Sequence, residues 1–163
     1  DYYEVTGVAK AGTVAMEPKA DLWQNNLNEI DSMYLEAYMP NDGKPKHIGF
    51  TFEFEKAGLR SFIYEYHSSE KCIWYCYYVN GRPSAPQHKC FRVDAPGNAV
   101  WTATLYLNKA AGKVHLKIAF PDHPGLGTLE LDTHVAELGG IKRAAWILGY
   151  RNSLFRVHKI WAK

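Results

Sequence analysis

The chain has 163 residues, 47% hydrophobic and 22% charged, and this length and composition predict one globular domain over residues 1–163. Lysine and arginine number 19 and aspartate and glutamate 17, and the formal net charge of +2 is too small to favour nucleic acid as a partner. The sequence contains no apolar run of the ~20 residues that a membrane-spanning helix needs, so no membrane span is expected.

Alternation of apolar and polar residues with a period of two is the main signal in the first half of the chain. Residues 18–30 instead have a loose helical spacing, which predicts a short helix or an irregular crossing segment. Residues 47–55 are apolar at every second position, as a half-buried strand requires, and residues 61–67 repeat the pattern. The short link between them contains Gly58, so the two strands are predicted to form an antiparallel hairpin.

The same alternation continues in the second half of the chain. Residues 100–108 and 113–120 predict a second hairpin, and the two prolines and two glycines of residues 121–127 end the regular structure. Residues 141–150 fit a helix and a strand equally well, whereas residues 155–161 favour a closing strand. The predicted strands are 33–39, 47–55, 61–67, 71–79, 89–94, 100–108, 113–120, 127–135 and one or two within 141–161.

The number and the spacing of these strands determine the predicted fold class. Roughly nine or ten short amphipathic strands with short links are typical of an all-β protein. The sequence therefore predicts an antiparallel β-sandwich of the jelly-roll type or a closed β-barrel, with at most one or two short helices.

The chain has three cysteines, an odd number that leaves at least one of them outside any intramolecular disulfide. Cys72 and Cys76 lie on one predicted strand about 13 Å apart, which is too far for a bridge between them. A three-residue hairpin loop at residues 80–82 would bring Cys72 opposite Cys90, so Cys72–Cys90 is the favoured disulfide. Pro83 disfavours a regular return strand, which keeps Cys76–Cys90 as the alternative.

A zinc site is the other use that these cysteines could have. Cys72, Cys76, His88 and Cys90 form two close pairs, as structural zinc sites do. The first pair, however, lies within the aromatic run of residues 72–78, which is typical of a strand rather than of a zinc-binding turn. No metal and no cofactor are therefore expected.

Aromatic residues are the strongest functional signal, with eleven tyrosines, seven phenylalanines and five tryptophans in the chain. Residues 72–79 are apolar or aromatic on both faces, so one face is either covered or lines a ligand site where aromatic rings offer a flat apolar body. The candidate ligand-binding residues are Tyr64, Tyr66, Trp74, Tyr75, Tyr77 and Tyr78 on the strands, together with Asn80, Arg82 and His88 in or after the hairpin loop.

Carboxylate and imidazole groups on neighbouring strands are the main catalytic candidates. Glu53, Glu65 and His67 lie on the polar faces of two strands that should pair, and a carboxylate beside an imidazole is able to act as acid and base. A solvated sheet face explains the same pattern. The sequence contains no catalytic triad order, nucleophile elbow or phosphate-binding glycine loop.

Recognition of carbohydrate is the leading functional hypothesis, because aromatic rings pack on the C–H faces of sugars while polar side chains bind the hydroxyls. A calycin-like barrel that holds a small hydrophobic ligand is the second, although Trp23 lacks the G-x-W context of that class. A small pocket enzyme, such as an isomerase, a cyclase or a glycan-active enzyme, and a secreted toxin or effector are further alternatives. The expected partner is therefore a glycan or another small molecule.

The expected location of the protein follows from the cysteines and the chain start. A disulfide in a loop-rich all-β chain is typical of an oxidising compartment. The chain begins at Asp1 rather than methionine, which indicates either a trimmed mature product or a truncated chain. Together these features predict a secreted, extracellular protein.

Overall fold

The computed structural model describes residues 14–16, 27–84, 89–149 and 155–163. Within these ranges the strands are β1 (Val14–Met16), β2 (Ser32–Met39), β3 (Lys46–Phe54), β4 (Gly58–His67), β5 (Cys72–Val79), β6 (Arg82–Pro83), β7 (Lys89–Phe91), β8 (Ala99–Asn108), β9 (Lys113–Ala119), β10 (Thr128–His134), β11 (Ile141–Leu148) and β12 (Arg156–Ala162). The helical elements there are two 3₁₀ turns, Leu27–Glu29 and Pro124–Leu126. No helix in the described ranges has the length and apolar character needed to cross a bilayer.

The strands form two antiparallel sheets that pack against each other. The seven-stranded sheet has the order β1-β11-β3-β4-β5-β6, and β7 pairs with β5 beside β6. The five-stranded sheet has the order β10-β9-β8-β2-β12. The predicted all-β sandwich is therefore confirmed, and among the described residues no strand pairing closes the sheets into a barrel.

One hydrophobic core lies between the sheets, and period-two alternation supplies it. Phe50, Phe52 and Phe54 of β3 point into it and are at most 1% exposed, and Trp101 of β8 contributes to it from the other sheet. The Trp101 ring contacts Phe120 edge-on, with the ring centroids 5.2 Å apart. Because burial of one such side chain contributes roughly 1.5–3 kcal/mol, these residues fix which face of each strand is inward.

The predicted elements differ from the observed ones mainly at the ends of the chain and around β7. Residues 141–148 form a strand, which settles the ambiguity of that segment, and β12 is the predicted closing strand. The predicted strand 89–94 ends at residue 91. Of the segment 18–30, residues 27–29 form a 3₁₀ turn, and the prediction for residues 18–26 lies outside the described residues.

The loop between β5 and β6 is shorter than predicted. Val79 pairs directly with Arg82, so the loop has two residues, Asn80 and Gly81, rather than three. Both have positive φ, 49° and 75°, as a type I′ turn requires and as an Asn-Gly pair favours. Pro83 is accommodated because β6 is a short edge strand.

A disulfide joins Cys72 to Cys90, with their Cα atoms 5.9 Å apart, and this is the pairing favoured from the sequence. The predicted register was nevertheless wrong, because Cys90 pairs across β5 with Trp74 and bonds diagonally to Cys72. Closing a loop of this size stabilises a fold by about 3 kcal/mol in the chain-entropy account. Cys76 is buried and forms no disulfide, so the Cys76–Cys90 alternative is not formed.

Candidate functional site

Three of the predicted ligand-binding tyrosines belong to the core. Tyr64 and Tyr75 are fully buried between the sheets and Tyr77 is 6% exposed. The Tyr64 and Tyr75 rings meet edge-on with centroids 5.4 Å apart, and the Tyr75 hydroxyl is hydrogen-bonded to Thr133 of β10. Burial raises the pKa of Tyr75 well above its ordinary value. In this structure these residues pack in the core between the two sheets and offer almost no surface to solvent.

Trp74 and Tyr78 lie on the opposite, outward face of the same strand, beside a carboxylate on β4. The Tyr78 hydroxyl donates to Glu65 Oε1 (2.5 Å), and His47 Nε2 lies 3.1 Å from the same oxygen. His67 Nε2 lies 3.7 Å from Glu65 Oε2. We call these five residues, His47, Glu65, His67, Trp74 and Tyr78, the outward cluster.

The electrostatics of the outward cluster centre on Glu65. Burial alone would raise the pKa of this carboxyl, but the hydrogen bond and charge of His47, with help from Tyr78 and His67, lower it to about 2. Burial and the bond to Glu65 raise the pKa of Tyr78 above its ordinary value. Glu65 is therefore ionised near neutral pH. It is poorly suited to general acid–base catalysis, because efficient acid–base groups titrate near the working pH.

Trp74 supplies the aromatic surface of the outward cluster. It pairs across the strands with Glu65 on one side and Cys90 on the other, and its ring is half-buried. The indole N–H donates to Glu70 Oε2 in the β4–β5 turn (2.7 Å). That bond restricts the orientation of the ring.

The remaining predicted site residues are not gathered at the outward cluster. Glu53 lies on β3 six residues beyond His47, a separation of about 20 Å along the strand. Asn80 and Arg82 lie at the far end of β5, where the Asn80 side chain accepts a hydrogen bond from the Leu59 backbone N–H (3.2 Å). The prediction for His88 lies outside the described residues.

Among the described residues, Tyr66 is the predicted ligand-binding residue that lines a cavity. It lies near the C-terminal end of β4, and its ring packs edge-on against Trp101, with the centroids 5.9 Å apart. The cavity has a volume of about 400 Å³. Lys46 and Asp94 also line this cavity. We call this space the end cavity. Sequence reasoning missed it because its walls come largely from loops, which carry no periodic signal.

The described residues contain no group of three or more histidines, cysteines or carboxylates arranged to hold a metal ion. Two of the four residues of the zinc alternative, Cys72 and Cys90, are joined in the disulfide and have no thiolate to offer. The third, Cys76, is buried, and burial raises the pKa of its thiol far above the ordinary value. The zinc alternative is therefore wrong for this oxidised state.

No protein-family model matches the sequence, and no curated protein matches it either. The fold is similar to that of Caenorhabditis elegans galectin LEC-6, with a TM-score of 0.54, 8% identity, and 98% of this chain and 95% of that chain covered. It is also similar to the carbohydrate-binding module CBM66 from Bacillus subtilis (TM-score 0.52, 9% identity, 98% and 90% covered). A third similar structure is scytalido-glutamic peptidase bound to a peptide-based transition-state analogue (TM-score 0.51, 7% identity, 98% and 76% covered). At these identities the likeness shows a lectin-like β-sandwich fold, which proteins of different activity share.

Proposed function

We propose that the protein binds carbohydrate at the outward cluster of the seven-stranded sheet. The observation that carries this proposal is the Trp74 indole, which lies across the strands from a carboxylate already fixed by Tyr78 and His47. This arrangement combines a flat apolar surface with a charged acceptor in one row of the sheet. Sites for small ligands commonly pair an apolar wall with a few oriented polar groups.

The polar groups of the outward cluster suit sugar hydroxyls. A hydroxyl is able to donate to Glu65 or Glu70, because an ionised carboxylate has about four acceptor positions. His67, one third exposed, offers ring nitrogens to the same ligand. The C–H face of a pyranose packs on the indole, which has a restricted orientation and therefore loses little entropy on binding.

Binding is favoured over catalysis by the protonation state of the outward cluster. A general acid must carry a proton near neutral pH, and a carboxyl with a pKa of about 2 does not. Glu53, the other carboxylate among the catalytic candidates, lies about 20 Å along its strand from the row of Glu65. Glu53 and Glu65 therefore do not form the pair of carboxylates that glycoside hydrolysis needs on two sides of one bond.

The fold comparisons support the same proposal at a coarser level. Galectins and carbohydrate-binding modules recur among the similar structures, although the peptidase shares the sandwich as well. The Cys72–Cys90 disulfide supports a secreted, extracellular setting, where glycans are displayed and disulfides persist.

The test is a glycan array followed by calorimetric titration of the bound glycan. Trp74→Ala should weaken binding by at least about tenfold, as expected for loss of an aromatic anchor. The matched control is Tyr106→Ala, which removes a half-exposed aromatic ring from the five-stranded sheet and should leave binding unchanged. Near-ultraviolet circular dichroism establishes that both variants are folded. Absence of any bound glycan, or equal binding by wild type and Trp74→Ala, would refute the proposal.

A further inference from the structure

The end cavity is separate from the outward cluster. It opens at the end of the sandwich between the β2–β3 loop, the start of the β4–β5 loop and the segment that leads into β8. None of the outward-cluster side chains is among the described residues that line it. Its volume of about 400 Å³ lies in the range of pockets that hold small molecules.

Hydrogen bonds between loops fix the shape of the end cavity. The Ser68 hydroxyl donates to the carbonyl oxygen of Gly43 (3.3 Å), and the Asn41 backbone N–H donates to the Asn98 side chain (2.9 Å). The Trp101 indole N–H donates to the backbone of the loop before β8 (3.0 Å). These bonds cross-link three loops, so a ligand would need to order few further groups.

Two lysines line one part of the end cavity. The Lys46 side chain is only 4% exposed and forms an ion pair with Asp42, while Lys44 lies exposed at the rim. Burial lowers the pKa of the Lys46 ammonium, and the Asp42 carboxylate opposes that effect. Because Asp42 offsets the charge of Lys46, the net positive charge of this region is that of Lys44, and it favours an anionic group on a ligand.

The other lining residues provide an aromatic ring and hydrogen-bond acceptors. Tyr66 is half-buried, held edge-on against Trp101. Asp94 is an exposed carboxylate that accepts from Lys71 Nζ (3.2 Å) and retains further acceptor positions. Asn41 adds an amide at the rim. Such a lining suits a ligand with several hydroxyl groups and an apolar C–H face.

We propose that the end cavity binds a monosaccharide that carries a carboxylate, a uronic acid, as a second site. The carboxylate lies toward Lys44 and Lys46, the hydroxyls lie toward Asp94 and Asn41, and the ring carbons pack against Tyr66. A neutral hexose lacks the anion and a simple carboxylate lacks the hydroxyls, so each makes only part of these contacts. This inference does not depend on sugar binding at the outward cluster.

The test titrates D-glucuronate into the full chain and follows backbone amide and tryptophan indole resonances by NMR. The control ligands are D-glucose, which has the ring and hydroxyls without the carboxylate, and acetate, which has the carboxylate without the ring and hydroxyls. Glucuronate should bind at least about tenfold more tightly than either, and its shifts should centre on Tyr66 and the Trp101 indole. Equal binding of glucose or acetate, shifts centred elsewhere, or no binding of glucuronate would each overturn the proposal.

Variants separate this proposal from the proposed function. Lys44→Gln is exposed, should preserve the fold, and should weaken glucuronate binding about tenfold, the loss expected for one charge-assisted hydrogen bond. The matched control Lys117→Gln, on the outward face of the five-stranded sheet, should have no effect. Trp74→Ala should leave glucuronate binding unchanged. Unchanged binding in Lys44→Gln, or equal loss in Lys117→Gln or Trp74→Ala, would refute this assignment.

Discussion

Replacing Glu65 with glutamine removes the only formal negative charge of the outward cluster and should make stability depend less on pH. The pKa of Glu65 falls from an ordinary 4.5 to about 2 on folding. At about 1.4 kcal/mol per pH unit, this difference contributes up to about 3 kcal/mol to the free energy of unfolding above pH 5. The side chain is only 13% exposed, so solvent screens this contribution little. Because the folded pKa is the lower one, the contribution is lost as pH falls through 4.5 toward 2.

Urea unfolding followed by tryptophan fluorescence measures this effect at pH 7 and pH 3. Glu65→Gln should be less stable than wild type by up to about 3 kcal/mol at pH 7, and by about 1.5 kcal/mol at pH 3. Glu53→Gln, on the same face of the sheet, is the control and should change stability by less than about 0.5 kcal/mol at both values. An equal loss in Glu65→Gln at pH 7 and pH 3 would refute the argument that ionised Glu65 stabilises the outward cluster.

Three further predictions concern the sandwich itself. Tyr75→Phe should lower the free energy of unfolding by about 1–3 kcal/mol, because the buried Thr133 hydroxyl loses its partner, and urea unfolding that matches wild type would contradict this. A Cβ at Gly49 would overlap backbone atoms of β4, so Gly49→Ala should abolish or severely weaken folding, whereas Gly125→Ala, with nothing within 4 Å, should melt like wild type. Alkylation of the denatured, unreduced protein should add one group, at Cys76, and three after reduction, as read by intact mass; three groups without reduction would disprove the disulfide.

Most of the strands are predictable from the sequence because side-chain alternation is a property of the strand itself. Residues 47–55 alternate apolar and polar side chains without exception, and β3 spans nearly the same residues, from 46 to 54. Residues 141–150 remained ambiguous, since one sequence fits a helical and a strand periodicity over so few positions. Pairing with β3 on one side and β1 on the other resolves that segment as a central strand.

The aromatic face was harder to predict because β5 is apolar on both sides. Alternation shows that Tyr75 and Tyr77 share one face and Trp74 and Tyr78 the other, but not which face is inward. Pairing with β4 decides this, since Tyr64 opposite Tyr75 is inward and Glu65 opposite Trp74 is outward. The predicted set therefore divides into core and surface residues.

The disulfide was assigned correctly through an incorrect register. The Asn80-Gly81 pair signals a two-residue turn with both residues at positive φ, and this signal was available in the sequence. The change of register between β6 and β7 was not, because residues 85–88 between them carry no periodic pattern. Loops determine the end cavity in the same way, so Lys46 and Trp101 gave no sign of sharing it.

The two candidate sites are separable because a single strand contributes to both through opposite faces. Glu65 and His67 of β4 point outward to the cluster, whereas Tyr66 between them points inward to the end cavity. A shift of register by one residue would exchange these faces, so the packing of Tyr64 in the core fixes both sites at once. Substitutions of residues that line only one site should therefore perturb that site alone. Substitutions that loosen the core should weaken ligand binding at both sites. Loss of sugar binding in Trp74→Ala with retention of glucuronate binding would be the outcome that this geometry requires.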